Sequence, residues 1–198
     1  MPPDTGRAPL PCLSVPLLCL SVPLRALYNR PMGHLEHKAA SPAVVHCYIL
    51  TISDTRTEAT DTSGRAIFDL LFAGGHQVAG RRIVPDEPLA VRQAIEEQMA
   101  NPNVQVIIAT GGTGITSRDR TFETVDAMLD KRLDGFGELF RMLSYQEIGS
   151  AAMLSRACGG LSRGKLIFSL PGSESAVRLG MTKLILPELG HLVREAAR

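Results

Sequence analysis

The segment Thr110-Gly111-Gly112-Thr113-Gly114, continuing as Ile115-Thr116-Ser117-Arg118-Asp119-Arg120-Thr121, holds the residues best suited to chemistry in this chain. Glycines let a backbone approach a ligand closely and accept φ > 0. Main-chain N–H groups leading into a helix N-terminus favour an anion such as phosphate, and Thr110, Thr113 and Arg118 add polar groups around it. A plain glycine turn between strand and helix is the simpler reading, but three glycines in four residues exceed what such a turn needs. This is not a standard nucleotide loop. No lysine follows the glycines as a Walker A motif requires, and Ser117 stands where the GxGxxG fingerprint needs its last glycine. Both P-loop hydrolysis and NAD binding are therefore disfavoured.

Asp86 and Asp119 are the candidate acids. Each also has a structural reading: a helix cap before Pro88 for Asp86, and a local turn or a surface pair with Arg118 or Arg120 for Asp119. Two carboxylates beside a phosphate cradle suit Mg²⁺, which takes one or two protein oxygens plus substrate phosphates. Phosphoryl-type chemistry needs mainly positioning and charge neutralisation, which such groups supply. Asp61-Thr62-Ser63-Gly64 reads as an N-cap cluster, and Pro171-Gly172-Ser173 offers a second helix N-terminus to an anion. The five histidines show no HxH or HExxH spacing, the four cysteines form no CxxC pair, and there is no GxSxG elbow.

These residues need elements to hold them. Val44–Ile52, Gln77–Val84, Val104–Thr110 and Lys165–Leu170 read as strands, the first and third as buried ones. Helices are predicted over Ser63–Ala73, Pro88–Met99, Phe122–Lys131, Phe136–Ile148, Ser173–Leu184 and Pro187–Ala197. Their inward faces are expected to carry Ala66, Ile67, Leu70 and Leu71; Leu89, Ala94, Ile95 and Met99; and Phe136, Leu139, Phe140 and Leu143. Met128, Met142, Met153 and Met181 read as core fillers. Strand–helix alternation predicts an α/β fold: a three-layer αβα arrangement around a mostly parallel, doubly wound sheet. In such a sheet Ser53-Asp54, Pro85-Asp86-Glu87, Gly111–Gly114 and Pro171-Gly172-Ser173 all follow strand C-termini and open on one edge.

The 198 residues are enough for one α/β domain. Lys+Arg 21 against Asp+Glu 20 leaves a net charge of +1, with no long like-charge run, so neither nucleic acid nor a membrane surface is an expected partner. No apolar run is long enough to span a bilayer. Residues 1–40 differ from the rest: they hold seven of the 13 prolines and a tandem repeat, Cys12–Leu18 followed by Cys19–Leu24. Prolines inside the apolar run, and Asp4 beside Arg7, argue against a signal peptide. We read 1–40 as an unstructured leader, with Met32 as an alternative start, and 41–198 as the functional domain.

Taken together, Thr110–Gly114 with Arg118-Asp119 resembles the TGGTG…RD signature of the MoaB/MogA family of molybdenum cofactor biosynthesis proteins. The likeness runs from about Ala43 to Ala197 and includes Ser53-Asp54, Asp61–Gly64, Gly135-Phe136-Gly137 and Leu170-Pro171-Gly172; Gly137–Gly149 looks closest to the MoaB branch. The resemblance implies the MoaB/Mog-like molybdopterin-binding fold. It implies Mg²⁺-dependent adenylylation of molybdopterin by ATP, giving adenylyl-molybdopterin and pyrophosphate, in a homotrimer or homohexamer that other cofactor-biosynthesis enzymes could contact. The cysteine usage, with no disulfide framework, separately predicts a reducing compartment, the cytoplasm. On this footing Asp86 and Asp119 are catalytic and metal-handling, while Gly111, Gly112, Thr113, Gly114 and Ser117 hold the pterin phosphate. Ser53, Asp54, Pro171, Gly172 and Ser173 form flanking ligand loops. Glu174 replaces the proline that often ends the last of these motifs in the MogA-like branch, and some MoaB members lack an acid at the position of Asp86. A non-catalytic molybdopterin carrier, or a scaffold of the same fold, is the alternative reading.

Overall fold

Alternate residues of the central strands point to opposite sides, and both sides are apolar. In β1 (His46–Ile52), Cys47 and Ile49 face one core while Leu50 and Ile52 face the other. In β3 (Val106–Thr110) the same split separates Val106 and Ile108 from Ile107 and Ala109. A strand buried on both faces must read as a continuous apolar run, as these two do. The computed structural model describes residues 41–198, so the leader and the Met32 start lie outside the described residues.

Two edge-ward strands complete the parallel part: β2 (Gln77–Val84) beside β1, and β6 (Lys165–Leu170) beside β3. Helices α1 (Thr62–Ala73), α2 (Pro88–Ala100), α3 (Thr121–Asp126) and α4 (Asp134–Ile148) follow in chain order, with α5 (Glu174–Gly180) and α6 (Leu186–Ala196) at the C-terminus. Residues of α1, α4, α5 and α6 fill one core, with Ile67, Phe140, Val177 and Leu189 among them. Val91 and Ile95 of α2 and Val125 of α3 fill the other. The expected three-layer, mostly parallel architecture is what the chain adopts.

The sheet continues past β6 in a way the sequence did not suggest. Its order is β2-β1-β3-β6-β5-β4, with β5 (Cys158–Ser162) antiparallel to β6 and β4 (Lys131–Arg132) antiparallel to β5. Arg163 and Gly164 link β5 to β6 with φ of 47° and 79°, the paired positive angles of a tight hairpin turn. Cys158-Gly159-Gly160 has poor strand propensity. Its glycines are explained by the neighbours: a Cβ at Gly159 would lie 2.5 Å from the Phe168 ring, and one at Gly160 would lie 2.3 Å from the Lys131 carbonyl oxygen.

This extension shortens the predicted helix Phe122–Lys131, because Asp130 N–H donates to Leu161 O (2.8 Å) and Leu133 N–H to Gly159 O (2.8 Å). α3 therefore stops at Asp126. The two predicted C-terminal helices are joined instead of separate. Gly180, Ile185 and Leu186 keep helical angles, and Met181–Ile185 forms a π-helical turn between α5 and α6. Pro187 accounts for it: a proline cannot donate to the carbonyl four residues back, and widening one turn lets the helix pass it.

Four predicted core side chains point outward. Leu89 is 67% exposed, and Leu139, Met142 and Met153 are also exposed, whereas Met181 is fully buried and Met128 packs against the second core.

Candidate functional site

Because β2, β1, β3 and β6 are mutually parallel, the loops that follow them share one edge of the sheet. Hydrogen bonds tie these loops to one another. Ser53 N–H donates to Val84 O (2.9 Å), and Gly111 N–H to Leu170 O (3.1 Å). Asp86 N–H donates to Asp54 Oδ1 (3.1 Å), and Thr110 Oγ1 to Pro171 O (3.0 Å). The sheet order reverses between β1 and β3, the place where open α/β sheets leave a ligand crevice.

The glycine loop is built around close approaches. Gly111 has φ +106°, and a Cβ there would sit 2.1 Å from Ile52 O. Gly112 has φ +61°, and its Cβ would lie 2.6 and 2.7 Å from the two carboxylate oxygens of Asp86. Gly172 is similarly close to the loop, since a Cβ on it would stand 3.2 Å from Gly111 Cα. Thr121 N–H closes the loop onto Gly112 O (3.0 Å), and Thr121 Oγ1 donates to Asp86 Oδ1 (3.1 Å).

Asp86 is therefore no helix cap: Glu87 occupies the N-cap of α2, without a side-chain capping bond. Burial pushes the Asp86 carboxyl above its usual range, and the nearby Asp119 and Asp54 add to that push. The Thr121 hydrogen bond and the Arg118 charge oppose it. Asp119 serves its own loop, accepting at Oδ2 from Thr116 N–H (3.0 Å) and Thr116 Oγ1 (2.5 Å). Arg118 reaches across instead to Asp54 Oδ2 (2.6 Å), so Asp54 is held by two loops at once.

Ser53 Oγ accepts from Thr55 and Arg56 N–H (3.2 and 3.1 Å), forming a turn. Ser173 is the N-cap of α5, its Oγ accepting from Ala176 N–H (3.3 Å). Ser117 is exposed on the outer bend, outside this network. Asp61 is the N-cap of α1, as its position suggested. Its buried carboxylate accepts from Gly64 N–H (2.9 Å) and Thr51 Oγ1 (2.7 Å) and pairs with Arg56.

Two arginines escaped sequence reasoning. Arg56 donates to Asp61, to Ser63 and to Gly172 O (2.7 Å), joining the loops after β1 and β6. Its place two residues after Asp54 was the one available signal. Arg156 precedes β5, and its guanidinium binds Thr113 O (2.9 Å), Gly114 O and Asp119 O (3.2 Å). It also pairs with Glu123 and lies 5.1 Å from the centre of the Phe122 ring. Burial pushes the Glu123 carboxyl up, but the Arg156 hydrogen bond, a backbone hydrogen bond and the charges of Arg156 and Arg120 together outweigh it and hold the group below its usual range. Nothing local in the sequence marks Arg156, because its partners lie 33 to 43 residues away.

The site thus combines a strained glycine loop, three carboxylates and three arginines at the crevice of an α/β sheet. Asp86 Oδ2 and Asp119 Oδ1 accept no hydrogen bond among the described residues, so each acid has one oxygen to offer a cation. No group of three or more His, Cys, Asp or Glu gathers to hold a metal among the described residues. That donor set fits Mg²⁺, which completes its shell with water and phosphate oxygens, and does not fit a closed all-protein metal site.

Comparison with known proteins follows the same direction. The profile of the family described as "Probable molybdopterin binding domain" matches residues 48–191. Molybdenum cofactor biosynthesis protein B of Bacillus cereus is 54% identical over 168 residues, covering 84% of this chain and 99% of that protein. The Bacillus subtilis protein of the same name is 47% identical over 161 residues, covering 81% and 95%. Among solved structures, one of a molybdenum cofactor biosynthesis protein B superposes with a TM-score of 0.77 at 55% identity, over 79% of this chain and 98% of that one. The tungsten cofactor synthesizing protein MoaB from Pyrococcus furiosus gives 0.69 at 36% identity, over 80% and 100%.

Proposed function

The chain belongs to the MoaB family of molybdenum cofactor biosynthesis proteins, with a molybdopterin-binding domain at its centre, and on that premise we propose that it adenylylates molybdopterin with ATP. The observation that carries this reading is the convergence of Asp86 with the glycine loop at the β1/β3 crevice. The N–H groups of Gly112, Thr113, Gly114 and Ile115 make no hydrogen bond among the described residues, and they supply the donors for the terminal phosphate of molybdopterin.

With the phosphate held there, one of its oxygens attacks the α-phosphorus of ATP. A new P–O bond forms, the bond to the β-phosphate oxygen breaks, and pyrophosphate leaves. Asp86 and Asp119 would hold Mg²⁺, which when bound neutralises charge on the phosphates. Arg118, tethered to Asp54, adds positive charge at the same edge.

No helix among the described residues is long and apolar enough to cross a membrane. The proposed location is the cytoplasm. We further propose that the protein works as a homotrimer or homohexamer. Leu139, Met142, Tyr145 and Ile148 descend the exposed side of α4, an apolar stripe of the kind that subunit contacts cover.

The test is product formation. The full chain with molybdopterin, ATP and Mg²⁺ should yield adenylyl-molybdopterin on chromatography, and Asp86→Asn should reduce the rate by about 100-fold or more. One observation favours the carrier alternative: Asp119 spends Oδ2 on Thr116 and so has a structural task of its own. Tight molybdopterin binding with no product from the parent chain would select that reading and end the catalytic assignment of Asp86.

A further inference from the structure

We propose that Arg156 is a positioning residue that sets which way the N–H groups of the glycine loop face, and so makes the loop selective for a phosphate-bearing ligand. The inference rests on the phosphate reading of that loop. In a trans peptide the carbonyl of one residue and the N–H of the next lie in one plane and point in opposite directions. Arg156 holds the carbonyls of Thr113, Gly114 and Asp119. The N–H groups of Gly114, Ile115 and Arg120 must then face away from the guanidinium. None of these three donates a hydrogen bond among the described residues.

Arg156 thus turns three peptide planes the same way, and the two that adjoin Gly114 would otherwise rotate freely. Its own charge does not compete for the ligand, because Glu123 neutralises it and the Phe122 ring covers one face. Only a planar fork with several fixed donors can bind carbonyls 113, 114 and 119 and a carboxylate together. A lysine ammonium at position 156 would keep the charge and lose that geometry.

The experiment is a binding titration on the full chain, followed by pterin fluorescence, with molybdopterin and with the same pterin after phosphatase treatment. The parent should prefer the phosphorylated ligand. Arg156→Lys should weaken binding of that ligand about tenfold while leaving the phosphatase-treated pterin nearly unaffected, and its thermal midpoint should stay close to that of the parent. Should that variant fail to fold, Glu123→Gln keeps Arg156 but loosens its anchor, and should show the same selective loss in smaller measure. Equal weakening toward both ligands, or undiminished binding of the phosphorylated one, overturns the positioning role. A parent that does not distinguish the two ligands overturns the phosphate reading of the loop itself, and this inference with it.

Discussion

Asp86 and Gly112 are interlocked. The carboxylate of Asp86 fills the space that a side chain on Gly112 would need, coming within 2.6 Å of an ideal Cβ position, and Thr121 Oγ1 comes within 2.2 Å of it. The same Thr121 hydroxyl donates to Asp86. The glycine therefore fixes the place of the acid as much as it shapes the loop.

Gly112→Ala should disturb both. A non-glycine residue at φ +61° costs about 1–3 kcal/mol in strain, and the methyl group must displace either Asp86 or Thr121. We expect a folded protein with a lowered urea midpoint and with adenylylation reduced as far as in Asp86→Asn. A variant with normal turnover would show that the contact between residues 86 and 112 is irrelevant to the chemistry.

Asp86→Asn should separate stability from activity. Burial raises the folded-state pKa of Asp86 above its unfolded value, so folding disfavours the ionised form. The stability of the acid-bearing protein is then fullest below the ordinary carboxylate pKa of about 4, and part of it is lost as pH rises through the folded pKa. Asparagine can still accept from Thr121 and carries no charge. The variant should melt at a higher temperature than the parent at pH 7, and the difference should shrink as the pH falls to about 4. A variant that melts lower at pH 7 would contradict the sign of this argument.

Asp61 should matter to folding and not directly to chemistry. Its buried carboxylate caps α1 and also satisfies Thr51 and Arg56. Loss of an N-cap costs about 0.5–2 kcal/mol, and the orphaned Thr51 hydroxyl and Arg56 charge add to it, so Asp61→Ala should cost about 2–3 kcal/mol in chemical denaturation. Asp61→Asn keeps the capping acceptor and should recover about half of that loss. An alanine variant as stable as the parent would show that the cap is dispensable.

The two described cysteines should be chemically silent in the native state. Burial pushes the thiols of Cys47 and Cys158 up to about 12, and neither is in a disulfide. Since the thiolate is the reactive form, iodoacetamide at pH 8 should leave both unmodified until denaturant is added. Peptide mass spectrometry reads each position separately, and rapid native-state labelling at either one would refute their burial.

What could be read in the sequence was what depends on neighbours along the chain. Val44–Ile52 and Val104–Thr110 announce buried strands because each carries apolar residues toward both cores, although the ladders start two residues later. Asp61 is recognisable as a cap because its partner Gly64 is three residues away. The glycine loop stands out because backbone freedom is itself a local property. Its meeting with Asp54, Asp86 and Gly172 could be foreseen once the strands were taken as parallel, since parallel strands send successive loops to one edge.

The tertiary structure decided the rest. Cys158–Ser162 is a strand only because Phe168 and Lys131 occupy the space beside its glycines. Pro187 widens a continuous helix because packing on both sides of it outweighs the broken hydrogen bond, which a local reading takes as a boundary. Leu89, Leu139, Met142 and Met153 point outward because helical spacing gives a face but does not say which way that face turns. Arg156 reaches the glycine loop only after β5 has joined the sheet, so no pattern in the residues around it could have revealed its partners.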